Sequence, residues 1–203
     1  KSDNTRRNHW ANHYDTATQR WAVAQLLETD NAGFANAPHV AMDGSGNAMA
    51  VWEQSDGTRK NIWSNRYDAT TRQWSGPVLV EGDSSDARSP QIAVSGNDSF
   101  VVVWGQMAAR SNDVATQQWG VASLISDNSI ISGDPNRNSV VSGNADDPHV
   151  AMDAEGNALA VWVQSTHVYA SRYAAGSGWQ AQIRIENDAN WAVAVPRIAM
   201  TAR

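Results

Sequence analysis

Three aspartates stand at one spacing from a tryptophan: Asp30, Asp83 and Asp188 each fall nine residues after Trp21, Trp74 and Trp179. Carboxylates repeated this way could converge on one mouth and hold sugar hydroxyls or a Ca²⁺ ion. Alternatively, each could close an Asx turn where a strand ends. Two aromatics, Phe34 and Trp191, lie close to them in sequence. An aromatic beside carboxylates suits a neutral, hydroxyl-rich ligand, because the ring stacks on apolar C–H faces while the carboxylates accept hydroxyl protons. Trp191 is the candidate anchor of such a site, with Phe34, Asp30, Asp83 and Asp188 around it. The competing role for either aromatic is that of a loop anchor.

Other reactive residue types are sparse. His39 and His149 occupy one repeat position, where other copies carry Gln91 and Arg197. Two histidines can ligate a metal, but glutamine and arginine at the equivalent places break the set, and no metal or other cofactor is expected. Asp43-Gly44-Ser45-Gly46-Asn47 lacks the alternating aspartates and terminal bidentate glutamate of a calcium loop and reads as a hairpin turn. No Ser/His/Asp order, phosphate-binding glycine loop, H-E-x-x-H or CxxC is present. A glycosidase would need two carboxylates facing one ligand. Spacing establishes no such pair, so no catalytic residue is assigned and the chain reads more as a binder than as an enzyme.

A net charge of −6 argues against duplex DNA and anionic membranes as partners, since both need a basic face. No apolar run reaches about 18 residues, so no helix-type membrane insertion is expected. The chain has no cysteine and loses nothing in an oxidising space; a secreted or cell-surface location is the expectation. Ten Trp against two Phe is an unusual balance, and most of the Trp recur in register.

That register is an internal repeat. Pro38-His39-Val40-Ala41-Met42-Asp43 through Gly46-Asn47-Ala48 to Val51-Trp52 returns as Pro148-His149-Val150-Ala151-Met152-Asp153 through Gly156-Asn157-Ala158 to Val161-Trp162. A degenerate copy runs from Pro90 to Trp104, and a fourth begins at Pro196. A period near fifty residues signals an array of one supersecondary unit. The units are about 1–37 (partial), 38–89, 90–147, 148–195 and 196–203 (partial), in one array over residues 1–203.

Within residues 38–89 the pattern predicts four strands: Val40–Met42, Ala48–Gln54, Ile62–Tyr67 and Pro77–Glu81. The second is apolar on both faces, as a doubly buried strand should be. Gly, Asn, Asp and Ser clusters separate the strands, and no 3.6-residue periodicity of useful length appears. The fold class is therefore all-β, with four-stranded antiparallel blades arranged as a β-propeller of about four repeats or a segment of a larger one. A β-solenoid of stacked hairpins is the alternative.

The pattern Pro-x-[Val/Ile]-Ala-x-Asp-x-x-Gly-Asn-Ala followed by an apolar strand resembles NHL-type and related bacterial β-propeller repeats, over essentially the whole chain. The resemblance implies blade architecture. It leaves function open, because propellers host lectins, hydrolases, lyases and scaffolds. Ser55-Asp56-Gly57 with Trp63 has the residues of a sialidase-type Asp-box but not its spacing.

Connection lengths distinguish the two ends of such blades. The strand one–two turn and the strand three–four turn are near-constant in length, whereas the strand two–three and inter-blade connections vary. In a propeller the variable pair share one face, and loop variation on a rigid scaffold is where function is hosted. That face carries Phe34, Trp191, Asp30, Asp83, Asp188 and the 126–147 insertion. The expectation is a non-catalytic binding module or scaffold for glycans or a protein partner. A glycan-active hydrolase or lyase and a structural subunit assembling through open blade edges are the alternatives. Ser2 to Asp15 matches Ser55 to Asp68 position for position, so the ends together make a blade lacking its second strand. Completion by a missing segment or by another chain is expected, because open edges pair.

Overall fold

The computed structural model describes residues 7–29, 33–81, 86–96, 98–105, 108–111, 119, 123–125, 145–164, 167–186 and 195–201. Asp30, Asp83, Asp188, Trp191 and most of the 126–147 insertion lie outside the described residues. Among those described, every regular element is a β-strand and every defined strand pair is antiparallel. In the three larger sheets the first four strands follow sequence order, as hairpin-connected strands do. The chain packs as two compact units, Lys1–Pro90 and Gln91–Arg203.

In the first unit, Ala35–Met42, Ala48–Ser55, Lys60–Asp68 and Gln73–Trp74 form one sheet, with Val78–Leu79 also pairing to Lys60–Asp68. The predicted fourth strand, Pro77–Glu81, shortens to Val78–Leu79, and Gln73–Trp74, read from the sequence as turn, adds a second short piece. Gly76, at φ +108, breaks the run, a conformation only glycine takes at no steric cost. The first strand starts earlier than its apolar run, at Ala35, because a β-bulge between Asn36 and His39 absorbs Pro38. Proline has no N–H for the ladder, and a bulge is where a strand tolerates it. The same bulge spans Asp146 to His149 around Pro148. The residue before three of the repeat prolines is left-handed: Ala37 at φ 47, Ser89 at 50 and Asp147 at 50.

The partial repeat keeps the register of its neighbour. Tyr14 pairs with Trp21 and Trp10 with Leu26, as Tyr67 pairs with Trp74 and Trp63 with Leu79. In the second unit, one sheet runs Arg88–Val94, Phe100–Gly105, Ala108–Ser111, Ser123–Leu124. The other runs Ala145–Met152, Ala158–Gln164, His167–Ala174, Gly178–Trp179, with Ile183–Arg184 also on His167–Ala174.

The cores lie between successive sheets. Trp52 packs with Ala35 and Ala50 of its own sheet and with Leu27 of the partial repeat, while Ala11, Trp63 and Trp74 close the cluster. Trp162 packs with Ala158, Ala160 and Tyr169 of its sheet and with Val101, Val103 and Ile125 of the preceding one. Trp52, Trp104 and Trp162 are fully buried, as their place at the end of an apolar strand predicts. A buried indole needs an acceptor. Two residues on and on the same strand face, Gln54 Oε1 accepts from Trp52 Nε1 at 2.9 Å, and Gln164 Oε1 from Trp162 Nε1 at 3.4 Å.

Candidate functional site

The site expected from the sequence is the end of the sheets where connections vary, and Phe34 is its described member. The Phe34 ring is 55% exposed. Gly33 before it lies directly on the next connection: a Cβ there would come within 2.6 Å of the Ser55 carbonyl oxygen. Glycine is therefore required to seat the Phe34 loop against the Ser55–Arg59 turn.

That turn is built by one carboxylate. Asp56 Oδ1 accepts from Thr58 Oγ1 at 2.7 Å, Thr58 N at 2.8 Å and Arg59 N at 3.0 Å, and Asp56 Oδ2 accepts from Asn61 Nδ2 at 3.0 Å. The Thr58 hydroxyl first, then the Arg59 N–H and the Asn61 amide, hold Asp56 well below the usual carboxylate range. The Arg59 guanidinium lies 3.7 Å from Asp56 and 3.9 Å from buried Glu81. Lys60 Nζ donates to Glu53 Oε1 at 2.8 Å, and Glu53 Oε2 accepts from the Ser89 N–H at 3.1 Å, beside the strained turn into Pro90. Asp86 accepts from Lys60 N at 2.9 Å, which lowers its pKa, with Arg88 assisting. This end of the sheet is thus a rim of ionised carboxylates beside one exposed aromatic.

A set of acids that the sequence reading passed over lies one step inward. Glu28, Glu81 and Glu186 each stand seven residues after the turn tryptophan. Both carboxylate oxygens of Glu28 accept from the His9 N–H at 2.9 Å. Burial pushes Glu28 up, against that N–H. Glu186 accepts from Val168 N at 2.9 Å, Arg184 Nε at 2.7 Å and His167 Nδ1 at 2.7 Å. Burial opposes its ionisation, but those donors outweigh burial and hold it below the ordinary range. Their shared register was the available signal. Glu28 and Glu186 pin the start of the third strand in their sheets.

The other end of the sheets carries the constant turns. Asp43 Oδ1 accepts from Ser45 N at 2.9 Å and Asn47 N at 2.8 Å, and Asp153 Oδ1 accepts from Asn157 N at 2.8 Å. These are hairpin turns closed by Asx side chains. An open groove of about 330 Å³ lies there in the first unit, lined among others by His13, Asp15, Arg20, Tyr67 and Arg72. Among the described residues, no group of three or more His, Cys, Asp or Glu gathers as a metal site.

No protein-family model matches the chain, and no curated protein matches it. A Dyadobacter fermentans protein of unknown function shares the fold, at TM-score 0.54 and 12% identity, over 82% of this chain and 55% of its own length. A Bacteroides ovatus glycosyl hydrolase aligns at TM-score 0.45 and 12% identity, over 87% of this chain and 54% of its own. A GH130 structure aligns at TM-score 0.45 and 10% identity over the same shares; that family of mannoside phosphorylases contains glycoside hydrolases that target β-1,2 mannosidic linkages in Candida mannan. Scores at that level do not establish a common fold. The chain spans about half the length of each of these structures.

Proposed function

We propose that this chain is a β-propeller, or part of one, built from NHL-like four-stranded blades, and that it is a non-catalytic binding module for glycans at the cell surface or outside the cell. The binding face is the end of the blades where connections vary in length. The observation that carries the reading is the exposed Phe34 ring, seated by Gly33 on the Asp56 turn beside a rim of ionised carboxylates. Such a rim accepts hydroxyl protons, and the ring offers the flat apolar surface that a pyranose stacks on. Trp191, Asp30, Asp83 and Asp188 complete the site in this proposal, with Trp191 as its anchor.

The roles of the described carboxylates favour binding over hydrolysis. The Thr58 hydroxyl first, with backbone N–H groups, holds Asp56 ionised, and the Lys60 N–H holds Asp86 so; neither offers the protonated acid that glycoside cleavage needs. The experiment is a titration of an oligosaccharide panel followed by tryptophan fluorescence, with Trp191→Ala and Phe34→Ala as controls and product analysis for turnover. Binding weakened by both substitutions, without cleavage, is the expected result. A ligand that binds both variants with unchanged affinity, or that is cleaved, overturns the proposal.

A further inference from the structure

The open groove at the constant-turn end takes no part in the proposed glycan face. Its volume is about 330 Å³, and every residue lining it belongs to the first unit. Its charges come from two successive repeats. Arg20 pairs in register with Asp15 across the hairpin of the partial repeat, which puts both side chains on one face of that hairpin. Arg72 comes from the corresponding turn of the next repeat, and its guanidinium lies 3.9 Å from Asp15 Oδ2. The His13 ring, stacked on Tyr67 with centroids 5.8 Å apart, lines the same groove.

Asp15 steadies the two arginines without satisfying them. Its Oδ1 already accepts from Ala17 N at 2.9 Å and Thr18 N at 3.0 Å. At 3.9 Å the Arg72 contact is Coulombic attraction and not a hydrogen bond, and the Arg72 side chain is 72% exposed. Arg20 is exposed as well. Two guanidiniums thus face one carboxylate, an excess of positive charge in a chain whose net charge is −6. The repeat requires neither arginine. Gln73 holds the place of Arg20 in the next copy and Gly178 holds it in the copy that starts at Pro148, while Gln19 holds the place of Arg72 in the partial copy. Residues that build the blades recur. These two do not, and the fold brings them to one groove.

We propose that this groove binds an acidic sugar, a uronate, with its carboxylate held by Arg20 and Arg72. A guanidinium presents a planar fork of donors that matches the two oxygens of a carboxylate. One monoanion balances the excess charge, which a dianionic phosphate would overshoot. The remaining lining suits a pyranose. Gln25 carries an amide that can donate to and accept from ring hydroxyls, and exposed Val23 offers an apolar surface to the C–H face. The groove's size is at the small end of the usual range for small-molecule sites. This site is independent of the glycan face, which lies at the other end of the sheets and carries carboxylates where this one carries arginines.

Calorimetric titration of the 203-residue chain with trimers of galacturonate, mannuronate and glucuronate, each beside its neutral methyl ester, tests the site. Binding of an acid trimer is expected, with its ester about tenfold weaker or more and the affinity falling as salt rises. Arg20→Ala and Arg72→Ala should each weaken binding about tenfold or more, with an unchanged circular dichroism spectrum because both side chains are exposed. Arg20→Lys and Arg72→Lys should restore part of the loss, since lysine keeps the charge but not the fork. Phe34→Ala should change nothing, which separates this site from the glycan face. The proposal is overturned if no acid trimer binds at millimolar concentration, or if an ester binds as well as its acid. It is also overturned if Phe34→Ala abolishes binding while both arginine variants retain it, or if a sulfated neutral trimer binds where the uronates do not.

Discussion

The Asn47 carboxamide ties two turns together: its Oδ1 accepts the Ala69 N–H at 3.1 Å while its Nδ2 donates to Asp43 Oδ2 at 2.9 Å. Asn157 repeats the arrangement with Ala175 at 3.2 Å and Asp153 at 2.8 Å. In these two blades the first turn is thereby bolted to the second, which favours near-constant turn lengths there. The degenerate copy has lost the bolt residues and uses a hydroxyl, with Ser99 N donating to Ser95 Oγ at 3.2 Å. Asp98 takes φ 66 there, where Gly46 and Gly156 take 85 and 89.

Replacing Asn47 by Ala removes two side-chain bonds and leaves the Ala69 N–H without its acceptor. A loss of about 1–3 kcal/mol is expected. Urea unfolding should show a lower midpoint with an unchanged slope, and Asn157→Ala should behave alike.

Trp162→Ala empties a fully buried site between two sheets, and about 3–5 kcal/mol of stability should go with it. Gln164→Ala should cost about 1–2 kcal/mol, because the indole N–H then stays buried without its acceptor. An unfolding midpoint unmoved by Trp162→Ala would contradict the packing described above.

Acid should unfold the protein through the turn aspartates. The Asn157 amide first, with backbone N–H groups, holds Asp153 below its ordinary value of 3.8. The folded value is the lower one, so this contribution is present above pH 3.8 and is lost as pH falls through the folded value. Asp15 and Asp68 are lowered likewise, chiefly by the Thr18 and Thr71 N–H groups. Asp153→Asn should flatten the acid limb of a stability-against-pH curve measured by chemical denaturation.

His9 acts earlier in the same titration. Burial lowers its pKa below 6.5, and its ring meets Trp52 edge-on with centroids 6.4 Å apart. The unfolded state therefore binds the proton more readily. Stability is full above about pH 6.5 and declines as pH falls below it. Proton NMR of the His9 ring should give a titration midpoint under 6.5, and His9→Gln should remove that part of the decline.

The repeat period, the strands and the burial of Trp52 and Trp162 were all legible in the residues, because a doubly apolar strand closing on Trp at constant spacing has few other uses. The strand-pinning glutamates Glu28 and Glu186 were not, since nothing in Leu-Leu-Glu or Arg-Ile-Glu says that the carboxylate turns back onto a strand start. Nor could local sequence separate Trp21 from Trp74 and Trp179. All three follow a tyrosine at near-equal spacing and pair with it in the same register. Trp74 and Trp179 nevertheless belong to cores while Trp21 lies largely open. The difference is not in the tryptophan but in what crosses from the preceding sheet: Leu27 reaches the first core and Ile125 the second. Strand pairing is a matter of neighbours in sequence, and the chain spells it out. Burial of a sheet face depends on a partner surface folded elsewhere, and only the tertiary structure supplies that.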